Sequence, residues 1–375
     1  MHIVKDTATY DCHPIFSFSA MSIKKLTSLL SFALLGLGTS SSPLPGPTLP
    51  LPARTVAQLS TVPAWLENIA VRPNGDLLVT QLAPIPILYT TKNPSLGNAT
   101  LEPIYEFRAT NVTDLLGITE TAPDIYAVIA GNATTNSTGY AGTWSVWQAA
   151  FASPDISIPT VRKIANVPQA KLLNGAVALP SDPSIVIIVD SQYGLLFRFD
   201  TKTGTSEIIA DGPELKPYPQ LHNATVGFGA NGLKIRDGWV YFSNSDLIAI
   251  YRVPITSRGY IPHSPKAVVE LYANLSAVAD FVDDFTFGSD GTLWAVSNYE
   301  NTFIAVSPGG KKMEVVAGAK GSVTFAGDTA AAFGRTDRDG DVLYVSTAGG
   351  LAMPINGSVV VPGSIVAVDT RGYAY

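Results

Sequence analysis

The feature that most constrains the fold of this chain is a repeat of roughly fifty residues that runs through most of its 375 residues. Each copy has the same layout: a polar residue, an apolar strand, a tight turn and a second apolar strand. A unit of this size cannot bury its own apolar face, so consecutive copies must pack against one another. Four clear copies begin at Glu67, Asn174, Asn231 and Asp283, and two weaker ones begin at Asp114 and Ala332.

The strand pattern inside the repeats predicts the architecture. Several copies continue into a third strand, such as 195–200, and a fourth, such as 206–210. Six repeats of four antiparallel strands describe an all-β, six-bladed β-propeller around a central channel, with Asp-Gly and Asn-Gly pairs as hairpin turns. The ring would close by pairing 55–59 with 364–368. A β-sandwich is the alternative, but it gives no reason for one period across the chain.

Composition excludes several classes of protein. Hydrophobic residues make up 46% and charged residues 14%, which excludes a disordered chain. The net charge of −6 makes nucleic acid an unsuitable partner, because phosphate binding needs a basic surface. The single cysteine, Cys12, allows neither an intramolecular disulfide nor a thiolate cluster. A three-histidine zinc site would need almost all of the histidines, and two of these are expected at the surface: His222 and His263.

The first fifty residues are typical of a targeting segment. Lys24 and Lys25 precede an apolar run at 26–37 and small residues at 38–42, which is the layout of a secretory signal peptide. The run is too short to span a membrane, and a buried strand or helix is the alternative. Met21 is a second possible start. We therefore predict an N-terminal extension and signal peptide at 1–42, a Pro-rich linker at 43–53 and a single propeller at 54–375.

A second pattern also favours export. Glycosylation sequons of the form Asn-x-Ser/Thr are frequent, and their acceptors must lie on exposed loops of a secreted chain. Chance placement in a sequence rich in Asn and Thr is the alternative. The prediction is a monomeric glycoprotein of the secretory pathway, with these seven acceptors: Asn98, Asn111, Asn132, Asn136, Asn223, Asn274 and Asn356.

The polar residues that begin four repeats are the predicted functional site. In a propeller the first strand of each blade lines the channel, so Glu67, Asn174, Asn231 and Asp283 should converge on the axis. Two carboxylates and two amides are hard oxygen donors, which suit Ca²⁺ or another divalent ion. A hydrogen-bonded water network is the alternative. Either Asp283 or Asp284 could face the channel.

The same segments resemble the gluconolactonase, senescence-marker-protein and diisopropyl-fluorophosphatase superfamily over about residues 60–370. The resemblance implies a divalent metal held by Glu67, Asn174, Asn231 and Asp283. The chain departs from that pattern where Asn68 and Ile69 follow Glu67 in place of Gly-Pro. It departs again where a second aspartate follows Asp283, and where no histidine begins a blade to serve as a base.

A narrower resemblance is to fungal hetero-Diels–Alderases of tropolone–sesquiterpenoid biosynthesis. It is carried by Leu-Glu-Asn-Ile-Ala-Val-Arg at 66–72 and Ala-Ala-Phe-Gly-Arg at 331–335. This resemblance implies dehydration of a hydroxymethyl tropolone or phenol to a quinone methide, followed by its cycloaddition to a humulene-type alkene. Such chemistry needs an apolar cup that orients two small apolar substrates and an acid that eases loss of water, but no cofactor.

The walls of such a cup should come from aromatic residues in loops near the blade starts, although each of them could instead pack in the core. Three functions follow from the sequence: a pericyclic cyclase, a metal-dependent lactonase or esterase, and a non-catalytic binding propeller. The aromatic candidates for the cup are Trp65, Phe228, Phe285, Tyr299, Phe325 and Phe333.

Overall fold

The computed structural model describes residues 48–97, 99–263 and 267–375, and these form one compact unit. The predicted signal peptide lies outside the described residues. Within them, 24 strands form six four-stranded sheets, joined by loops and four short 3₁₀ turns. This is the predicted six-bladed propeller. The 3₁₀ turns are Pro94–Leu96, Arg108–Thr110, Pro213–Leu215 and Pro219–His222.

Blades one to three are consecutive antiparallel meanders. Blade one contains β2 Trp65–Val71, β3 Leu77–Ala83, β4 Ile87–Thr91 and β5 Leu101–Glu106. Blade two contains β6 Asp114–Ala122, β7 Ile125–Gly131, β8 Ser145–Ala150 and β9 Thr160–Asn166. Blade three contains β10 Leu173–Leu179, β11 Asp182–Asp190, β12 Leu195–Asp200 and β13 Thr205–Ala210.

Blades four to six continue the ring. Blade four contains β14 Ala230–Arg236, β15 Trp239–Asn244, β16 Ala249–Pro254 and β17 Glu270–Asn274. Blade five contains β18 Phe285–Phe287, β19 Leu293–Ser297, β20 Thr302–Val306 and β21 Met313–Gly318. Blade six contains β22 Asp328–Phe333, β23 Val342–Thr347, β24 Ser364–Asp369 and, as its outer strand, β1 Ala53–Gln58.

The outer strand of blade six closes the ring. β1 pairs antiparallel with β24, from Ala53 opposite Val368 to Gln58 opposite Ser364. The start of the propeller is thereby hydrogen-bonded to its end, as the sequence predicted.

The apolar core lies between the blades. Six clusters of buried side chains correspond to the six contacts between neighbouring sheets. Phe197 and Trp144, for example, pack between blades two and three. Burying one such side chain contributes about 1.5–3 kcal/mol, so the ring is held mainly by side chains that alternate along inner and middle strands.

The inner strands carry a bulge at the functional position. The pairing register shifts between Leu173 and Ala176 in blade three, and between Ala230 and Leu233 in blade four. A bulge leaves a residue unpaired and re-aims its side chain, which explains why the first polar residue of these blades faces the channel. The equivalent shifts in blades two and six surround Leu116 and Thr329.

The Asn-Gly pairs of blades three and four are therefore part of strands, not turns. A Cβ atom on Gly175 would lie 2.3 Å from the Asn231 carbonyl oxygen, and one on Gly232 would lie 2.3 Å from Asp284 Oδ1. Glycine is required because the inner strands converge at the axis. The predicted turns do occur at other pairs, such as Asp237-Gly238, where φ is 50° and 78°.

Candidate functional site

The channel opens at one end into a cavity of about 280 Å³ to which all six blades contribute. Its floor is made by residues in or next to the inner strands, and its walls by residues of the loops that enter the inner strands or join the second and third strands of a blade. The lining includes the four predicted polar residues, Glu67, Asn174, Asn231 and Asp283, together with Asp114, Asn298, Trp65, Leu82, Leu116, Leu172, Phe228, Phe281, Tyr299, Leu351 and Ala352.

Glu67 lies in the floor of this cavity and is only 5% exposed. The indole Nε1–H of Trp65 donates a hydrogen bond to its Oε2 across 2.5 Å. Burial, and then the nearby charge of Asp283, raise the pKa of Glu67 well above its usual value, and the Trp65 hydrogen bond opposes this only in part. The surroundings of Glu67 therefore favour the neutral, proton-bearing form of its carboxyl group.

Asp283 faces Glu67 from blade five and is held by two amides. Asn231 Nδ2 donates to Asp283 Oδ1 across 2.9 Å, and Asn298 Nδ2 donates to Asp283 Oδ2 across 3.0 Å. The pKa of Asp283 is raised to about 7: burial is the largest cause, the charge of Asp284 acts in the same direction, and the two amide hydrogen bonds oppose both. Asn231 is fixed in turn by its Nδ2 donating to Ser245 Oγ across 2.9 Å.

Asp283, not Asp284, is the aspartate that lines the cavity. Asp284 turns the other way and pairs with Lys234, whose Nζ lies 2.7 and 2.9 Å from its two oxygens. It also accepts the backbone N–H of Phe285. Asp284 thus occupies the place that glycine has in blades two, three and four, and its carboxylate is neutralised by a lysine.

Asp114 is a third acid at the cavity, on the side of blade two. Its Oδ2 accepts the Ala133 N–H across 2.8 Å and the hydroxyl of Thr113. Burial raises the pKa of Asp114 to about 6. The sequence identified Asp114 only as the start of a weak repeat. The bulge shows that Leu116 is the true counterpart of Asn174, so Asp114 lies at the wall and not in the floor.

Three of the six predicted aromatic residues line the cavity: Trp65, Phe228 and Tyr299. Phe281, which is not among the predicted residues, also lines the cavity and packs against Phe228 and Tyr299. Phe281 stacks on Tyr299 with ring centroids 4.6 Å apart, and Phe228 meets Phe281 edge-on at 6.2 Å. Its position two residues before Asp283 could have identified it, because Trp65 likewise lies two residues before Glu67.

The other three aromatic candidates do not line the cavity. Phe285 is fully buried in the apolar cluster between blades four and five. Phe325 packs in the core between blades five and six. Phe333 lies at the far end of β22 and meets Trp294 edge-on, with centroids 6.4 Å apart. Core packing explains each of these placements.

The donor set of the floor fits a hard cation by chemistry. Glu67, Asn174, Asn231 and Asp283 would hold such an ion, which would supply a Lewis acid for a substrate carbonyl when bound. Both oxygens of Asp283 already accept hydrogen bonds from amide N–H groups, so this carboxyl group has hydrogen-bond partners within the protein. Among the described residues, no three histidine, cysteine or acidic side chains are arranged as a metal-binding group.

The remaining predicted residues lie away from the floor. His222 and His263 are exposed, and His222 Nε2 lies 2.7 Å from the Asp246 carbonyl oxygen.

Of the seven predicted glycosylation acceptors, Asn98 lies outside the described residues. Among the other sequons, Asn132 is half-buried and Asn136 is exposed at the cavity. No helix within the described ranges is long and apolar enough to cross a membrane. The exposed acceptors away from the cavity are Asn111, Asn223, Asn274 and Asn356.

Comparison with known proteins agrees with this architecture, although no family model matches the chain. A solved luciferin-regenerating enzyme superposes with a TM-score of 0.58 at 14% identity, covering 86% of this chain and 96% of that protein. A calcium-binding regucalcin from Agrobacterium tumefaciens gives 0.55 at 12% identity, covering 87% and 96%. The fold is thus the six-bladed propeller of the gluconolactonase and senescence-marker-protein type.

Sequence similarity identifies the family within that fold. The chain is 33% identical over 358 residues to a protein of Sarocladium schorii named as a candidate hetero-Diels–Alderase, asR5, covering 87% of this chain and 85% of that one. It is 32% identical over 333 residues to a protein of a Phoma species with the same designation, covering 82% and 90%. The chain belongs to this hetero-Diels–Alderase family.

Proposed function

We propose that the chain is a cyclase of secondary metabolism that joins a tropolone- or phenol-derived quinone methide to a humulene-type alkene. The observation that carries this proposal is the buried carboxyl group of Glu67, with its raised pKa, in the floor of a cavity walled by aromatic and aliphatic side chains. The membership of the chain in the hetero-Diels–Alderase family supports the reaction class.

The first step in this proposal is loss of water. Glu67 gives its proton to the leaving hydroxyl of the hydroxymethyl precursor, the carbon–oxygen bond breaks, and water departs. The ring hydroxyl of the precursor loses its proton, which returns the carboxylate of Glu67 to the acid form and leaves a neutral quinone methide. A neutral carboxyl group is the form needed, and burial beside Asp283 favours that form by raising the pKa of Glu67.

The second step is cycloaddition. The exocyclic carbon and the carbonyl oxygen of the quinone methide form one C–C and one C–O bond to the alkene, with no atoms lost. The protein contributes by holding the two reactants against each other, and positioning of this kind can be worth several kcal/mol. Trp65, Phe281 and Tyr299 supply rigid surfaces for this purpose.

Glu67→Gln tests the proposal because it keeps the shape of the side chain and removes its acidity. We expect the rate of product formation to fall by about 10²–10⁴, the usual effect of a positioned acid. Glu102→Gln, an exposed change on β5, is the matched control and should leave the rate unchanged. An unaltered rate in Glu67→Gln would refute the assignment of the acid.

A metal-dependent lactonase is the second candidate, and the hard oxygen donors of the floor are the observation that favours it. In that case a chelator would abolish hydrolysis of a simple lactone, and Glu67→Gln would lose both metal and activity. Lactone hydrolysis at an ordinary enzymatic rate that depends on a divalent ion would replace the cyclase proposal.

A further inference from the structure

The cavity has two chemically different walls on opposite sides of the ring. The aromatic wall lies at blades four and five and consists of Phe228, Phe281 and Tyr299. The opposite wall lies at blade two, because the second and fifth of six blades face each other across the axis. It is made by the segment between β7 and β8, which contributes Ala133, Thr135, Asn136 and Ser137 to the lining.

This segment, residues 132–140, is a small hairpin that we call the rim hairpin. Its strands are joined by Thr134 N–H to Thr138 O and by Tyr140 N–H to Asn132 O, each 2.9 Å long. Ala133 and Gly139 form an isolated bridge between them. A two-stranded hairpin of this length is only marginally stable by itself, so its position must be fixed by contacts with the propeller.

Gln192 of blade three fixes the tip of the rim hairpin. Its Oε1 accepts the Gly139 N–H across 3.0 Å, and its Nε2 donates to the Ser137 carbonyl oxygen across 2.7 Å. The backbone N–H of Gln192 is itself bonded to Asp190 Oδ1 across 2.9 Å. The side chain thus bridges the turn after β11 to the tip and the second strand of the rim hairpin.

Close packing and a second anchor complete the attachment. A Cβ atom on Gly139 would lie 1.9 Å from the Lys171 carbonyl oxygen, so the hairpin lies directly against the chain entering β10. At the stem, Ala133 N–H donates to Asp114 Oδ2 across 2.8 Å. The hydroxyl and amide groups of the rim hairpin are therefore held at a fixed place on the cavity wall.

We propose that the two walls sort the two reactants: the rim hairpin binds the oxygen-rich tropolone partner, and the aromatic wall binds the hydrocarbon. This inference rests on the proposed function, which supplies the two reactants. A tropolone has adjacent oxygens that need hydrogen-bond partners once they leave water, whereas an alkene gains only from apolar surface. Gln192 is the positioning residue that sets this orientation by fixing the polar wall.

Binding of each partner alone tests the sorting without any turnover. The probes are tropolone and α-humulene, titrated separately against the full chain by calorimetry or fluorescence. Gln192→Ala removes both anchoring hydrogen bonds, and we expect about 5–20-fold weaker binding of tropolone with humulene changed less than about twofold. Phe281→Leu should have the opposite effect: the affinity for α-humulene should fall about tenfold, and the affinity for tropolone should stay nearly unchanged.

Gln148→Ala is the matched control, because Gln148 bonds Arg162 on the outer strands of blade two and does not touch the hairpin. Hydrogen exchange provides a readout of the anchor itself: the Gly139 amide should exchange faster in Gln192→Ala, with the amides of β10 and β14 unchanged. Both measurements apply to a folded chain, so unfolding of a variant would be recognised.

The outcomes separate this inference from the proposed function. Equal weakening of both probes in Gln192→Ala, no weakening of tropolone, or a wild-type chain that binds neither probe would overturn the sorting. If the two variants weaken binding of different probes as expected but the chain forms no cycloadduct, the two-wall proposal is supported and the proposed cyclase function is refuted. If the chain forms the cycloadduct but the variants do not distinguish the two probes, the cyclase function is supported and the two-wall proposal is refuted.

Discussion

The indole Nε1–H of Trp65 and the carboxyl group of Glu67 are joined by a 2.5 Å hydrogen bond along the inner strand of blade one. The two residues are separated by one position on β2, where the pairing register shifts, and their side chains meet at the cavity. The bond fixes the carboxyl group at the cavity floor. It also lowers the pKa of Glu67 against the larger effect of burial.

Trp65→Phe should therefore raise the pKa of Glu67 further, because it removes the only cause found to lower it. For an acid that must carry its proton, kcat/KM falls as pH rises through its pKa, so the falling limb should move to higher pH. The measurement is the pH profile of kcat/KM for cycloadduct formation. Trp239→Phe, remote from the cavity on blade four, is the control, and a shift to lower pH would contradict the prediction.

The second prediction concerns how Asp283 changes the stability of the protein with pH. Burial raises its pKa to about 7 from an ordinary value of 3.8. The folded state then binds more protons than the unfolded state between these values, so this residue's contribution to stability is present below about pH 4 and is lost as pH rises through about 7. Asp283→Asn should remove that loss.

Urea unfolding across this pH range measures the effect. The stability of Asp283→Asn relative to the wild type should increase with pH, by an amount on the order of a few kcal/mol at most. Asp155→Asn, an exposed change, should follow the wild-type curve. Parallel curves for Asp283→Asn and the wild type would show that Asp283 is ionised throughout.

The inner-strand glycines give a third prediction. Gly175→Ala would place a Cβ atom 2.3 Å from the Asn231 carbonyl oxygen, so blades three and four would have to separate. Overpacking of this kind costs about 1–3 kcal/mol, which would appear as a lower urea midpoint. Gly212→Ala is the control, since its nearest neighbour is the flexible end of Glu214 at 3.3 Å. Equal midpoints for the two variants would refute the proposed close contact.

The sequence predicted the architecture because strand alternation and turn residues recur in every blade, including the β1–β24 closure. It placed the weak repeats incorrectly. In blade two the inward position is Leu116, and an apolar residue there looks like any other strand residue. In blade six the position is Thr329, three residues before the Ala332 that marked the repeat. A bulge shifts the register without leaving a clear pattern in composition.

The candidate site was predictable where it depends on blade starts and not where it depends on loops. Glu67 follows directly from the repeat, which left Asp283 and Asp284 as alternatives in blade five. The rim hairpin arises from the β7–β8 connection, and its contact with Gln192 joins residues more than fifty positions apart in the chain. Such a contact depends on how blades two and three pack, which periodicity does not describe. The same limit explains why Phe285 could not be distinguished from a wall residue.

Export and glycosylation form a fourth prediction, since both rest on sequence patterns alone. We propose that the chain enters the secretory pathway and carries glycans on its exposed sequons, such as Asn111 and Asn274. Expression in a eukaryotic host should give a product whose mass falls on glycosidase treatment. An unshifted product in the cytosol would contradict this. A glycan on Asn136 would narrow the cavity, so Asn136→Gln should bind α-humulene at least as well as the glycosylated wild type.

The last prediction decides between an acid and a metal at the floor. If Glu67 acts as a neutral acid beside Asp283, a chelator should change cycloadduct formation by less than about twofold, and added Ca²⁺ should not raise the melting temperature. If an ion is bound, Ca²⁺ should stabilise the folded chain by mass action, and Glu67→Gln should abolish that stabilisation.

The experiment compares melting curves of the chelator-treated wild type and Glu67→Gln with and without Ca²⁺, alongside turnover. We expect no stabilisation in either protein, because amide N–H groups already satisfy both oxygens of Asp283 and the Trp65 indole satisfies Glu67. Stabilisation of the wild type alone would assign Glu67 to a metal site and overturn its role as the acid.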